Sequence, residues 1–290
     1  MSINQLIPEH NPSERSHLYP VPAFSNLIGS FSRLKLTIRQ VISPQIYVLG
    51  CDLSHWNATV DFKALKAAGY EFAILKATEQ VGYSDPTFPA RWRACLDADM
   101  LVGPYHFFRS NYSGADQADH HLNVIAPLLN ATQGRIIPPA GDYETEDGVT
   151  VAVRKPRILD WHNTIRTALN VLPLAYTSQY LWQVLTGNMP FDCTGWGAHW
   201  TSSLSYLWPY GWPVTARKFM QFGVYPKHSW VPVVPGVTGE VDVNKFLGTL
   251  PELQALAGGP PPVDTWYTAV TTALRGQGYQ IPDPPRRSII

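Results

Sequence analysis

Between residues 47 and 247 the chain repeats one alternation: a short run rich in β-branched and aromatic residues, then a stretch with apolar residues at helical spacing. This pattern leaves few ways to fold. Parallel strands need crossover connections, and the crossing helices must cover the faces of the sheet. The strand runs are Tyr47–Leu53, Phe72–Ala77, Val102–Phe108, Ile136–Glu144, Leu174–Thr177, Gly195–Trp200, Phe219–Phe222 and a short run near Val241. Helical spacing fits Phe62–Ala68, Thr87–Ala98, Gly114–Asn130, Ala152–Leu169 and Ser178–Leu185. Five strand–helix alternations followed by three strands predict an α/β fold, an irregular TIM-like barrel of five βα units and then three β-strands. The span is short of the about 250 residues of a regular (β/α)8 barrel, so the late helices are expected to be missing. In such a barrel the working residues sit at the C-terminal ends of the strands.

Those ends carry acids. The first strand ends at Asp52, the fourth at Asp142 and Glu144, and the last run, Glu240 to Asn244, holds Asp242. Asp142 and Glu144 are two residues apart, so on a strand their side chains share a face, with backbones about 6.6 Å apart. Two carboxylates so placed repel, and one is pushed towards its protonated form. A proton donor beside an ionised carboxylate is what glycosidic bond cleavage requires. Glu146 and Asp147 follow at once, so a calcium-binding or merely acidic surface loop competes with this reading. Asp52 and Asp242 at two other strand ends favour convergence on one barrel mouth. Tyr105, Phe107, Tyr176, Trp200 and Gln221 are the candidate sugar-binding side chains, although a single aromatic at such a position can equally be core.

Composition narrows the partners. The 22 basic and 22 acidic side chains cancel, which argues against binding to nucleic acid or anionic membrane by bulk charge. Only 15% of residues are charged while 12% are aromatic, so the chain is not disordered, and its surface suits a polar but uncharged ligand such as sugar. Five of the ten tryptophans fall between Trp196 and Trp230, much of it loop-like. Rings on a loop are difficult to bury, so sugar stacking or contact with a partner is expected there. Cys51, Cys95 and Cys193 lack metal-site or disulfide-framework spacing and read as buried thiols. His55, His106 and His199 lie at strand ends without ligand spacing, and His120 and His121 are adjacent on a helix, so satisfied polar residues are expected rather than zinc ligands. No glycine-rich phosphate loop precedes a helix, and no cofactor or metal is implied.

The barrel is expected over residues 47–250, flanked by two extensions. In residues 1–46, Leu27, Phe31, Leu34, Ile38 and Val41 recur at helical spacing with Arg33, Lys35 and Arg39 between them. This predicts one amphipathic helix packed on the main domain; a membrane-surface helix competes with that reading, but three basic residues attract a membrane only weakly, and no stable membrane insertion is expected. Residues 251–290 contain the linker signal Gly258-Gly259-Pro260-Pro261-Pro262 and a short helical pattern through Trp266, Val270 and Leu274. Met1 to Pro20 lacks the apolar run of a signal peptide, and no window approaches the about 20 apolar residues of a membrane span.

The run Gly50-Cys51-Asp52-Leu53-Ser54-His55-Trp56, followed by Phe72-Ala73-Ile74-Leu75-Lys76-Ala77-Thr78-Glu79, resembles the opening of glycoside hydrolase family 25, the Chalaropsis-type lysozymes or N-acetylmuramidases. The likeness continues in order through Asp85-Pro86-Thr87-Phe88, Gly103 to Arg109, Gln117 to His120, Pro138 to Glu144, Tyr176-Thr177-Ser178, Ala198-His199-Trp200 and Val241 to Phe246. The resemblance implies an irregular barrel that hydrolyses the β-1,4 bond between N-acetylmuramic acid and N-acetylglucosamine in peptidoglycan. It implies Glu144 as catalytic acid, Asp142 as its partner, and Asp52 and Asp242 as the other active-site acids. It also places the enzyme's action on the cell wall, outside the cytoplasm. With no signal peptide in view, a phage or prophage endolysin or a virion-borne lysin is expected, its extensions docking on virion or wall. A non-catalytic glycan-binding or structural virion module, or a glycosidase of another N-acetylated glycan such as chitin, are the competing readings. The chain departs from the family at Cys51, Gly141, Tyr143 and Met220, where the family more often has aliphatic residues or, at the last, Trp. The first three are expected to face away from the site, and Met220 puts one wall contact in question.

Overall fold

The computed structural model describes residues 47–129 and 134–258. The helical patterns expected between Asn26 and Ile42 and around Trp266 to Leu274, and the prolines beyond Gly258, lie outside the described residues.

Eight strands close into a barrel: β1 (Val48–Leu53), β2 (Tyr70–Glu79), β4 (Leu101–Phe107), β5 (Ala140–Asp142), β6 (Leu174–Ser178), β7 (Thr194–Ala198), β8 (Arg217–Tyr225) and β9 (Val241–Phe246). A two-residue strand, β3 (Tyr83–Ser84), is appended to the end of β2. All the barrel strands run parallel except β9, which is antiparallel to both β8 and β1 and seals the circle. The crossovers are α1 (Phe62–Ala67), α2 (Phe88–Asp97), α3 (Gly114–Leu129), α4 (Val151–Leu169) and α5 (Gln179–Thr186). These are the five βα units and three closing strands of the sequence pattern.

Local chemistry marks the helix ends. The Asp61 carboxylate accepts the N–H groups of Lys63 and Ala64 to open α1, and Ser178 accepts that of Leu181 to open α5. Gly187 closes α5 in the left-handed region, where a Cβ would be strained. The expected strand from Ile136 to Glu144 is shortened to Ala140–Asp142, because Pro138 and Pro139 have no N–H to give a ladder. The expected Gly195–Trp200 strand ends at Ala198.

Side-chain parity sorts the residues into two cores. Val48, Phe72, Ile74, Leu174, Trp196 and Phe246 point into the barrel, while Cys51, Leu53, Leu75, Tyr143, Met220 and Val243 point outward beneath the covering layer. A helix not read from the sequence, α6 (Leu250–Leu256), opens with a reciprocal Thr249–Glu252 capping box. It presents Leu253 and Ala257 to the barrel interior, and Ile136 donates its N–H to Ala257. Residues 251–258 therefore belong to the barrel rather than to a linker.

Among the described residues no α-helix covers β7 and β8, and the loop between them takes that place. Expected to be exposed, its Trp208 and Trp212 are instead buried, at 8% and 3%. Glycines make the room. A Cβ on Gly195 would stand 3.0 Å from the Trp212 ring, and one on Gly197 2.9 Å from Met220 and 3.1 Å from the Trp208 ring. Tyr206 accepts a hydrogen bond from Lys245, whose ammonium lies 3.9 Å from the Phe222 centroid and 4.5 Å from that of Tyr47. The loop does expose Leu204, Leu207 and Tyr210. All three cysteines are buried and free. None of the helices among the described residues is long and apolar enough to cross a membrane.

The departures at Gly141 and Tyr143 explain each other. Both face the outer core, and a Cβ on Gly141 would lie 2.4 Å from the Tyr143 hydroxyl. The small residue admits the large one, which packs against Phe108, Trp161, Trp182 and Phe191. Met220 also lies in the outer core, so it removes nothing from the barrel mouth.

Candidate active site

The inward rows of the strands end at one mouth. A cleft of about 270 Å³ is lined by Asp52, Asp142, Glu144 and Asp242 together with Tyr105, Phe107, Tyr176, Trp200 and Gln221. All nine residues proposed from the sequence thus meet there. Asp52 tops β1, Asp142 ends β5, and Glu144 lies two residues beyond that strand. Asp242 differs from the strand-end expectation: it sits near the start of β9. Because β9 runs the opposite way, that start is also at the mouth, directly across the ladder from Asp52.

Ser54, Trp56, Lys76 and Trp196 also line the cleft. Period-two alternation would have revealed two of them. Lys76 follows Phe72 and Ile74 on the inward row of β2, and Trp196 shares its parity with Trp200. Trp56 is 82% exposed, a ring held at the rim against His55, with 4.5 Å between centroids. On the opposite wall Trp200 is 49% exposed, and its indole N–H is fixed by Gln221.

A second hollow, about 360 Å³ and mainly apolar, is lined by Ser178, Leu181, Ala198 and His199 and shares Glu144, Tyr176 and Trp200 with the first. Two hollows with three common wall residues form a groove, the shape a polymer needs, with Glu144 between them.

The acids are electrostatically crowded. Burial pushes the Asp142 carboxyl well above the usual range, and the neighbouring Glu144 adds to the shift. Glu144 is raised by burial as well, against the opposing effects first of Asp142 and then of Lys76. The two carboxyls interact directly and titrate as a unit. Asp142 Oδ1 is buried and has no hydrogen-bond partner among the described residues. Asp52 is raised by burial and by Asp242, while N–H donors from Asn244 and Gln221 oppose the rise. Asp242 is pushed up to about 6 by burial, then by Glu144 and Glu240, with Lys227 opposing. Lys76 is itself bound to Glu79 at 2.7 Å, and Glu79 also pairs with Arg109 at 2.6 Å. The phenols of Tyr105 and Tyr176 are pushed up by burial and stay neutral.

The histidines are occupied elsewhere. His55 Nδ1 pairs with Asp85 at 3.0 Å. His106 and His121 both bond Thr78 Oγ1 on the outer side of β2, at 2.8 and 2.7 Å, and burial pushes His106 down to about 3. His120 bonds the Tyr83 carbonyl at 2.9 Å, and His199 Nδ1 accepts the Leu207 N–H at 3.2 Å.

A closed α/β barrel whose mouth gathers a coupled carboxyl pair, two more acids and exposed rings has the build of a glycoside hydrolase. Comparison with known proteins specifies which kind. Residues 51–222 match the model for glycosyl hydrolases family 25. Lysozyme M1 of Streptomyces globisporus is 31% identical over 220 residues, covering 72% of this chain and 71% of its own. The bacterial lysozyme from Streptomyces coelicolor superposes with a TM-score of 0.65 at 31% identity, over 73% of this chain and 97% of that one. The family GH25 lysozyme from Aspergillus fumigatus gives 0.64 at 27% identity, over 73% and 100%. The chain belongs to glycoside hydrolase family 25 and is an enzyme of that class.

Proposed function

We propose that this enzyme is a lysozyme of the N-acetylmuramidase type. It hydrolyses the β-1,4 bond between N-acetylmuramic acid and N-acetylglucosamine in peptidoglycan, on the cell-wall side and so outside the cytoplasm. The observation that carries the reading is the carboxyl pair Asp142–Glu144 lining an open groove, in a chain whose relatives include lysozymes of similar fold.

In this reading Glu144 starts protonated and gives its proton to the glycosidic oxygen as the bond to the leaving sugar breaks. Asp142, left ionised, accepts the N–H of the substrate's acetamido group. That steers the acetamido oxygen onto the anomeric carbon, in place of a protein nucleophile. The unpartnered Asp142 Oδ1 supports this role, since a buried acceptor is best satisfied by a donor that the substrate brings. Glu144, now ionised, takes a proton from the water that opens the cyclic intermediate. Trp56 and Trp200 offer exposed faces to sugar rings on either wall.

Reducing-end analysis of digested, purified peptidoglycan, run beside chitin, tests the proposal. New reducing ends on muramic acid are expected. Ends on glucosamine alone, or turnover of chitin alone, would mean another glycosidase, and no new ends at all would mean a non-catalytic glycan-binding module. We further propose that residues 1–46 and 259–290 serve docking on wall or virion. Removing them should lower co-sedimentation with cell walls while soluble glycan fragments are still cut.

A further inference from the structure

The four acids of the mouth are not held alike. Asp52 Oδ2 accepts two N–H groups, from Gln221 Nε2 at 3.1 Å and from Asn244 Nδ2 at 2.7 Å. Both amides are fixed from behind. The Gln221 oxygen accepts the Tyr176 hydroxyl at 2.8 Å and the Trp200 indole N–H at 2.9 Å, and the Asn244 oxygen accepts the Trp196 indole N–H at 2.8 Å. Neither amide can turn its oxygen towards Asp52 without abandoning these donors. Gln221 and Asn244 are 3% and 0% exposed, so water cannot replace them. With both lone pairs of Oδ2 in use, a proton on Asp52 has to reside on Oδ1. That oxygen has no hydrogen-bond partner among the described residues, on a side chain that lines the cleft.

The surrounding charge favours the proton being there. Asp242 faces Asp52 from β9, and Asp142 and Glu144 face it from the end of β5. Lys76 on β2 is bound to Glu79, Lys227 acts on Asp242, and Tyr105 and Tyr176 are neutral. No cation among the described residues pairs with Asp52, and like charges directly across a ladder repel.

We infer that Asp52 works as a neutral acid, donating a hydrogen bond from Oδ1 to an acceptor oxygen of the sugar, with Gln221 and Asn244 as positioning residues that keep the proton on that oxygen. Burial pushes its carboxyl in the same direction. The identity of the ligand rests on the muramidase reading; the position of the proton does not.

Asp52→Asn and Asp52→Ala separate a donor from a carboxylate. Asparagine can give its carbonyl oxygen to Gln221 and Asn244 and place its NH2 where the hydroxyl stood. Turnover of peptidoglycan should therefore stay within about tenfold of wild type for asparagine and fall by about 10²-fold or more for alanine. Equal losses in the two variants would overturn the inference. Because either variant could fold poorly, the wild-type protein supplies a second reading. With carboxyl-¹³C aspartate, the resonance missing from Asp52→Asn should lie at the protonated-carboxyl position at neutral pH; a carboxylate position there would overturn the inference as well. In Asn244→Ala that resonance should titrate at higher pH, since a donor to the ionised form is gone, whereas a purely structural role would leave it unmoved. Should wild type cut no peptidoglycan while its Asp52 signal is protonated, the muramidase reading fails and the proton assignment stands.

Discussion

From β1 to β6 the outer face of the barrel is covered by helices, whereas over β7 and β8 it is covered by rings laid flat on glycines. The helix-backed part carries Asp142 and Glu144, and the ring-backed part carries Trp200, Gln221 and, on the adjacent β9, Asn244 and Asp242. The proton transfer proposed above thus sits on strands braced by regular structure. The clamp on Asp52 and one ring of the cleft wall sit on strands braced by an irregular loop. The contrast teaches that a missing helix need not weaken a barrel wall. Trp208 and Trp212 fill the space, and Trp212 meets Trp182 of α5 edge-on at 5.5 Å, tying the loop to the last helix.

The comparison can be broken most sharply at Glu144. Glu144→Gln should lower muramidase turnover by about 10³-fold while the melting temperature holds or rises, as measured by reducing-end release and calorimetry. A variant that still clears walls at wild-type rate would remove the proton chemistry from the helix-backed half. Next in size, Trp208→Ala should destabilise the fold by about 3–5 kcal/mol in urea unfolding, the cost of an emptied core site. A change within 0.5 kcal/mol, roughly a surface effect, would show that the rings are not the covering layer. Gly141→Leu should cost about 1–3 kcal/mol by overpacking, and adding Tyr143→Val should recover most of it. Failure of the second change to rescue would mean that the two positions do not share one space.

The smallest effect concerns Asp242. Its folded carboxyl is raised to about 6 from an ordinary 3.8, so between these values the folded state binds more proton than the unfolded one. Stability therefore falls as pH rises through that window and is lowest above it. Asp242→Asn should stabilise the protein by about 1–2 kcal/mol above pH 6, allowing for solvent at the cleft, and by little near pH 4. Calorimetry at both pH values, with equal gains at each, would contradict the shift.

Much of this was legible in the chain because strand and helix periods differ so plainly. The five crossover helices and the succession of strands followed from spacing alone, and Asp52, Asp142 and Glu144 followed from where strands end, whereas Asp242 lies near the start of one. What escaped had physical reasons. β3 is too short to leave a period, and α6, with seven residues, spans barely two turns. The burial of Trp208 and Trp212 depended on Gly195 and Gly197, whose meaning as ring seats appears only once the loop is folded back over β7. Lys76 and Asn244 lie inside their strands rather than at the ends where the acids drew the site. Each lies two residues along the same strand from an inward side chain, Ile74 and Asp242 respectively, so parity would have placed both at the mouth.

The reversed direction of β9 has a consequence for how the enzyme can be attached to anything. Running from the mouth downward, it delivers the chain into α6 beneath the barrel, where Gly258 bridges Ile136 near the base of β4. Tyr47 enters at the same pole, one residue before β1 sets out towards Asp52. A linker, dye or solid support joined at either position leaves the opposite pole facing outward. An insoluble polymer can then be approached head-on, and immobilisation through these points should cost little access to the groove.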